Sequence, residues 1–274
     1  MSAYAGRLAP SPTGLLHLGH ALTFHTAAAR ARAASGRLLL RIDDLDRERS
    51  KSHFTDAIIE DLAWLGIAWE PPMVTQSERI PMYRAALERL IAMGLAYPCT
   101  CSRRDLLQVP AAPHEADNEL LYDGRCRSKR VSEFVDGVNY RMRVPDGKTI
   151  AFNDENLGPQ SYVCGKDFGD FLLWRKDDLP SYQLATVIDD AEMGVTEVVR
   201  GRDLLKSTAR QILVARALEL ASPKWFHVEL VLDADGVRMA KRSGAMALRS
   251  LRERGVTPAE AIALARVTSV TSDC

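Results

Sequence analysis

Two histidines, His17 and His20, bracket a Leu-Gly pair in the stretch "RLAPSPTGLLHLGHAL", residues 7–22. Three positions apart, they fall on one face of a first helical turn. A helix N-terminus presents unpaired backbone N–H groups and a partial positive charge, which suits phosphate. Imidazoles placed there can donate hydrogen bonds to phosphate oxygens whose charge grows during a displacement. Gly19 between them lets a flat ligand press against the backbone. Taken alone, His-x-Gly-His is a weak four-residue signal, because two half-buried histidines at a helix start would read the same way.

A second group of reactive side chains lies further on. Cys99-Thr-Cys101 and, after an intervening loop, Tyr122-x-x-x-Cys126 bring three thiols into one segment. Thiolates are soft ligands that suit zinc, and three are one short of tetrahedral closure. Tyr122, His114 and water are candidates for the fourth place, with His114 the ordinary choice on chemistry. Three reduced, buried cysteines are the plainer alternative, and the Pro-rich, polar surroundings count against it. The run "RCRSKR", 125–130, adds local positive charge, as a solvated face would. Cys164 and Cys274 stand apart.

These residues need a scaffold, and the composition describes an ordinary globular one. The chain has 274 residues, 46% apolar and 26% charged, enough for a sizeable core in one large domain or two. Lys plus Arg and Asp plus Glu are both 36, so the net charge of zero argues against bulk electrostatic binding of nucleic acid. The N-terminus "MSAYAGRLAP" lacks the apolar core of a secretory signal, no stretch has the length and apolarity of a membrane span, and five cysteines do not suggest a disulfide framework. The expected location is the cytoplasm, with no membrane partner.

The elements follow from the punctuation. Residues 5–10 read as a strand, which Pro10, Pro12 and Gly14 end. Leu18–Ala34 is a helical, Ala-rich pattern that Gly36 should cap, and "RLLLRI", 37–42, is a buried strand. Strand, loop, helix and strand make a βαβ unit, so a parallel sheet is expected, with a ligand site at the end of its first strand. Helices near 53–65 and 80–93 stop at Gly66 and Gly94, with "WEPP", 69–72, as a break between them. "VNYRMRVPDGKTIAFND" alternates like a hairpin turning at Asp146-Gly147, and "DFLLWRKDDLPSYQLATVIDD" continues in extended style. "VTEVVRG", 195–201, reads as a strand, and Thr208-Ala-Arg-Gln211 has capping-box spacing before an apolar helix. "HVELVLDADGVRM" reads as a hairpin at Asp235-Gly236. A last helix opens at Thr257, with Pro258 at its first position and Glu260 completing a capping box.

On these motifs the sequence resembles the class I aminoacyl-tRNA synthetases, whose "HIGH" signature reads "HLGH" here. "RLAPSPTGLLHLGHA" and "RIDDLDRERS" resemble the glutamyl branch of that class. A second signature is found downstream, where "RMAKRSG", 238–244, is similar to the "KMSKS" loop. Arg238 and Ala240 depart from it, while Lys241 takes the place of the lysine that neutralises ATP phosphates. The resemblance covers roughly residues 5–265 and implies an α/β fold. Its Rossmann-like (HUP-type) parallel-sheet catalytic domain would carry an inserted zinc-containing α+β acceptor-like subdomain and a short helical C-terminus. The expected boundaries are 1–96 and 181–245 for the catalytic halves, 97–180 for the insertion and 246–274 for the helical end.

The resemblance also assigns roles. His17, His20 and Lys241 would be catalytic, and with Gly19 would bind ATP and its Mg²⁺. Arg7, Leu8, Ala9, Pro10, Ser11, Asp43, Tyr182 and Arg200 would hold L-glutamate, whose two carboxylates and one ammonium call for cationic forks and one anion. Asp43 stands where the branch usually has glutamate, one methylene longer. Arg41, Asp43, Asp44 and Asp46 could instead be a salt-bridged strand end. The Tyr-x-x-x-Cys spacing resembles the zinc site of the glutamyl-Q tRNA(Asp) synthetases, which implies Cys99, Cys101, Tyr122 and Cys126 as ligands of a structural Zn²⁺. Only about 30 residues follow Lys241, too few for the usual anticodon-reading region. The expected activity is therefore that of the truncated paralogues. They form glutamyl-adenylate from ATP and glutamate without tRNA, then esterify the queuosine base of tRNA(Asp), and the enzyme is expected as a monomer. The alternatives are a short form of a conventional glutamyl-tRNA synthetase charging tRNA(Glu), another nucleotidyl transferase of the H-x-G-H superfamily, and a zinc-stabilised RNA-binding module without catalysis.

Overall fold

The chain is described by a computed structural model that covers residues 3–102, 105, 122–232 and 247–268. Its first strand, β1 (Ala5–Leu8), is buried along its whole length and pairs parallel with β2 (Arg37–Ile42), from Ala5 opposite Arg37 to Leu8 opposite Leu40. Helix α1 (Leu18–Ala33) makes the crossover, as the βαβ pattern requires. Helix α2 (Ser52–Trp64) leads to a third parallel strand, β3 (Glu70–Thr75), on the far side of β2. "WEPP", expected as a break, thus begins a strand, tolerable because β3 is a sheet edge where missing proline donors cost no ladder bond. Helix α3 (Ile80–Ala92) follows. Gly66 and Gly94 end α2 and α3 with φ of 66° and 68°, the left-handed conformation that glycine adopts without strain.

The end of α1 is built differently from the expectation. Ser35, not Gly36, is the left-handed residue, at φ 48°. Gly36 is needed for room: a Cβ there would lie 2.5 Å from the Tyr4 carbonyl oxygen.

The second half of the molecule holds β10 (Glu197–Gly201) and β11 (Lys224–Val228), parallel neighbours. The Thr196 N–H donates to the Ala5 carbonyl at 2.8 Å, which sets β10 beside β1. Helix α4 (Tyr182–Glu192) precedes β10, and α5 (Leu205–Ala217) connects β10 to β11. The chain thus runs outward from β1 toward β2 on one side and from β10 toward β11 on the other. A crevice forms where two adjacent parallel strands lead their connections in opposite directions. Here that point is the carboxyl end of β1 and β10.

The intervening segment forms an antiparallel sheet in the order β4 (Ala96–Cys99), β5 (Asn139–Met142), β8 (Leu172–Arg175), β9 (Leu179–Pro180). A second hairpin, β6 (Thr149–Asp154) with β7 (Gly158–Val163), joins the edge of β11. Asp146-Gly147 therefore does not turn a hairpin: β5 and β6 belong to different sheets, and the turn carries the chain across. The stretch from Tyr182, expected as extended, is helix α4, started by the Ser181 hydroxyl accepting from the Leu184 N–H. Thr208 and Gln211 lie inside α5 rather than at its cap, and their spacing serves another purpose described below. One apolar core runs from Tyr140 and Trp174 to Leu184 and Leu213, so the intervening segment packs through shared side chains with α4 and α5. A second core lies under α1 and α2 and reaches the terminal helices α6 (Leu248–Glu253) and α7 (Pro258–Val267). The Thr257–Glu260 capping box opens α7 as the sequence implies. The turn expected at Asp235-Gly236 lies outside the described residues.

Candidate active site

The crevice at the ends of β1 and β10 is an open cleft of about 380 Å³, within the usual range for small-molecule sites. Arg7, Ala9, Pro10, Ser11, His17, Gly19, His20, Asp43, Tyr182 and Arg200 all line it. Leu8 does not: it alternates away from Arg7 and packs, fully buried, in the core. The loop after β1 is tied down by the connection that follows β2, with the Asp43 N–H donating to the Pro10 carbonyl at 2.9 Å and the Lys51 N–H to the Pro12 carbonyl at 3.0 Å.

The first turn of α1 forms one wall. His17 is its N-cap, and its Nδ1 accepts from the Gly19 N–H at 3.1 Å. The Nδ1 of His20 accepts from the His17 N–H at 3.1 Å, completing a capping box made of two imidazoles. The rings pack with centroids 3.9 Å apart. A neutral imidazole that accepts at Nδ1 carries its proton on Nε2 and is a donor there. No acidic residue occupies the first turn of α1, so the helix itself supplies no anion to its positive end. A Cβ on Gly19 would lie 3.0 Å from the His17 ring, so this glycine also makes room for the cap.

The opposite wall is a buried charge network. Arg7 Nε lies 3.4 Å from Asp190 Oδ1, and its Nη1 donates to the Val199 carbonyl at 3.2 Å. Arg41, wholly buried, donates to both oxygens of Asp43, at 2.6 and 3.2 Å, and to Asp190 at 2.7 Å. Asp189 stands behind them and accepts from Gln76, Arg79 and Tyr83 at 2.7–2.8 Å. Burial opposes the charge of Asp190, but Arg7 and Arg41 overcome it and hold its carboxyl below the usual range. For Asp43, burial prevails over Arg41 and pushes the carboxyl up. Asp43 is paired to Arg41 and also lines the cleft, so its place in a salt-bridged strand end and its access to the cleft are compatible.

Arg200 extends from β10, and its Nη1 donates to the Tyr182 hydroxyl at 3.2 Å. Thr208 and Gln211, one turn apart on α5, both turn toward this guanidinium, which explains their spacing. Sequence inspection missed them, together with Thr23, Phe24, Asp203, Glu229 and Val231 on the cleft wall. The available signal was "RGRD" at the end of a strand, where a Cβ on Gly201 would lie 2.5 Å from Asp203 Oδ1 and push that carboxylate aside.

Lys241, Arg238 and Ala240 lie outside the described residues, but both ends of their segment are at the cleft. Val231 lines it, and Ala247 forms an antiparallel bridge with His17, with the Leu248 N–H donating to the Leu16 carbonyl at 2.8 Å. Lys241 is six residues before Ala247, a span of at most about 20 Å.

The thiols of Cys99, Cys101 and Cys126 lie within 4.8 Å of one another and could hold a metal ion. The Tyr122 hydroxyl is 3.5 Å from Cys99 Sγ and 3.7 Å from Cys101 Sγ, and Cys101 Sγ is 3.6 Å from Cys126 Sγ. Metal–ligand bonds of roughly 2.3 Å give a tetrahedron with edges of about 3.8 Å, so the donor set fits. His114 lies outside the described residues. Arg141, which sequence inspection did not single out, donates to Cys99 Sγ at 3.3 Å and stacks on the Tyr122 ring at 3.9 Å.

Comparison with known proteins agrees with this geometry. A family model described as "tRNA synthetases class I (E and Q), catalytic domain" matches residues 5–272. A "Glutamyl-Q tRNA(Asp) synthetase" of Symbiobacterium thermophilum is 47% identical over 92% of this chain and 82% of its own length. The protein of the same name from Rhodobacter capsulatus is 42% identical over 93% of this chain and 96% of its own. Among solved structures, a glutamate tRNA ligase of Elizabethkingia meningosepticum in complex with its amino acid superposes with a TM-score of 0.75 at 29% identity, covering 89% of this chain and 53% of the other. The chain thus spans about half the length of that solved relative. It belongs to the class I tRNA synthetases of the E and Q kind, a family of ATP-dependent ligases, and carries their catalytic domain.

Proposed function

We propose that this chain activates L-glutamate with ATP, without tRNA, and transfers the glutamyl group to the queuosine base of tRNA(Asp). The observation that carries the first half is one cleft with two chemically opposite walls. A helix N-terminus with two imidazole donors suits phosphates, and facing it Arg7, Arg200, Tyr182 and Asp43 suit a small dicarboxylic amino acid. The transfer half rests on the names of the relatives.

The α-carboxylate of glutamate attacks the α-phosphorus of ATP in line, pyrophosphate leaves, and glutamyl-adenylate stays bound. A hydroxyl of the modified base then attacks the mixed anhydride and releases AMP. No protein nucleophile is needed, since positioning and charge neutralisation suffice. His17 and His20 donate to phosphate oxygens, Gly19 admits the nucleotide, and Lys241 follows charge onto the leaving pyrophosphate. Arg7, Arg200 and Tyr182 hold the carboxylates while Asp43 meets the ammonium. Ala9, Pro10 and Ser11 shape the floor, and Leu8 acts only by supporting it from the core. Mg²⁺ bound with ATP would supply further charge neutralisation on its phosphates. Cys99, Cys101, Cys126 and Tyr122 would hold Zn²⁺, which would brace the antiparallel segment presented to the RNA. The protein would work in the cytoplasm as a monomer, organised as catalytic halves 1–96 and 181–245, an insertion 97–180 and a helical end 246–274.

The test is to incubate labelled glutamate and ATP with tRNA(Asp), with and without queuosine, and in parallel with tRNA(Glu), and to locate the label by nuclease digestion. Label on the queuosine nucleotide supports the proposal. Label on the 3′-terminal adenosine of tRNA(Glu), with activation that requires tRNA, would favour a conventional glutamate–tRNA ligase, the kind of protein to which the solved relative belongs.

A further inference from the structure

Three buried arginines approach the cleft, and they are not equivalent. Arg7 is paired with Asp190, and Arg41 with Asp43 and Asp190. Arg200 is as buried as they are, yet among the described residues no carboxylate pairs with it. Its hydrogen bonds all go to neutral acceptors: His227 Nε2 at 3.2 Å, Tyr182 Oη at 3.2 Å, Gln211 Oε1 at 2.8 Å, Thr208 Oγ1 at 2.6 Å and the Leu204 carbonyl at 3.5 Å. The Trp225 ring lies 4.8 Å from its central carbon. A buried charge whose hydrogen bonds all go to neutral groups carries a desolvation cost that a direct ion pair would offset. Burial accordingly pulls the guanidinium down from its ordinary value, although it remains a cation.

The imidazole of His227 explains how the charge is tolerated. It is wholly buried, with Nδ1 2.6 Å from Asp154 Oδ2 and Nε2 toward Arg200 and Thr208. An ionised Asp154 can only accept, so Nδ1 must carry the ring proton and Nε2 must be the acceptor. Burial and the neighbouring Arg200 pull His227 down to about 4, so the ring is neutral at physiological pH. Asp154 is itself fixed by the N–H groups of Asn156, Leu157 and His227. Asp154 is thereby kept one ring behind Arg200, Asp190 acts on the guanidinium only through space, and among the described residues no carboxylate hydrogen-bonds to it.

Building on the proposed glutamate site, we infer that His227, Thr208 and Gln211 are positioning residues that hold Arg200 as a cation with no carboxylate of its own, so that a substrate carboxylate becomes its counter-ion and an uncharged amide analogue is rejected. Asp154 fixes the His227 tautomer for this purpose. A site whose buried charge is satisfied only by the correct ligand rejects an isostere that cannot satisfy it. A carboxylate placed in the cradle would fill that role from within and remove the selectivity.

The decisive variant is Gln211→Glu, which is nearly isosteric and offers Arg200 an internal partner. Glutamate-dependent ATP–pyrophosphate exchange is measured on the full chain without tRNA, together with exchange driven by glutamine and thermal melting. The expected result is a glutamate KM raised roughly 10–100-fold, an ATP KM within about 2-fold, a glutamate-over-glutamine preference reduced by about 10-fold or more, and a melting temperature that does not fall. A companion pair tests the ring: His227→Leu should raise the glutamate KM, and His227→Gln, which keeps an acceptor for Arg200, should recover part of it. An unchanged glutamate KM and preference in Gln211→Glu overturns the inference. Should Gln211→Glu not fold, equal glutamate KM values for wild type, His227→Leu and His227→Gln overturn it instead, and the graded series supports it. Wild-type protein that shows no glutamate-dependent exchange would refute the glutamate proposal itself, which separates the two failures.

Discussion

His17 performs two tasks with one ring, since its Nδ1 caps α1 while the ring lines the cleft. Gly19 makes this possible, because a methyl group there would stand 3.0 Å from the ring. Gly19→Ala should therefore lower ATP–pyrophosphate exchange by roughly 10–100-fold through the displaced imidazole. Its melting temperature should stay nearly constant, because loss of a cap and the better helix propensity of alanine are each about 1 kcal/mol and opposite in sign. Asp43 poses the complementary question. Both of its oxygens are engaged by Arg41, yet it lines the cleft. Asp43→Asn should raise the glutamate KM about 10-fold and leave the ATP KM within about 2-fold, because an amide cannot neutralise an ammonium. Equal effects on both substrates would remove Asp43 from the amino-acid pocket.

At the scale of elements, the segment 233–246 matters through its anchors. It leaves the cleft wall at Val231 and returns at Ala247, bridged to the residue that caps α1. A lysine on such a segment would meet the phosphates that we propose α1 binds, so Lys241→Ala should reduce adenylate formation by roughly 100–1,000-fold with an unchanged thermal melt. The return helix α6 also packs on α2, where Glu60 pairs with Arg249 and Arg252. Beneath them Asp61 is buried, its oxygens hydrogen-bonded to nothing among the described residues, with Arg252 3.8 Å away. Burial raises its carboxyl to about 6. A raised carboxyl binds its proton more tightly in the folded state, so stability is lost as pH rises from about 4 through about 6. Melting curves should show Asp61→Asn matching the wild type near pH 4 and exceeding it by a few degrees, roughly, at pH 7.5. A difference independent of pH would show that Asp61 is not the group responsible.

At the scale of the whole molecule, the antiparallel segment is joined to the parallel sheet by a common core and by the β6–β7 hairpin on β11. Asp154, at the end of that hairpin strand, supports His227 and through it Arg200. The segment expected as an insertion thus reaches the cleft from behind. Its thiol cluster should bind about one zinc per chain, measured by elemental analysis, and Cys126→Ser should lose the metal and melt several degrees lower, roughly. A fully active, equally stable metal-free preparation would refute the site.

Local pattern was enough for the βαβ start, the stops at Gly66 and Gly94, the α7 capping box and the imidazole pair, because each depends on neighbours within a turn or two of chain. The same local logic misled at Asp146-Gly147, at "WEPP" and at Thr208–Gln211, where sheet partners or a distant guanidinium decided the outcome. Nothing in the sequence could indicate that Asp190 pairs with both Arg7 and Arg41 while Arg200 has no paired carboxylate among the described residues, since Asp190 is 183 and 149 positions from those two arginines. The sequence alone determined which chemistries were present and which elements would carry them. Only the packing of β10 against β1, and of β6 against β11, decided which charges meet, because pairing across a buried cleft depends on distance in space and dielectric rather than on position along the chain.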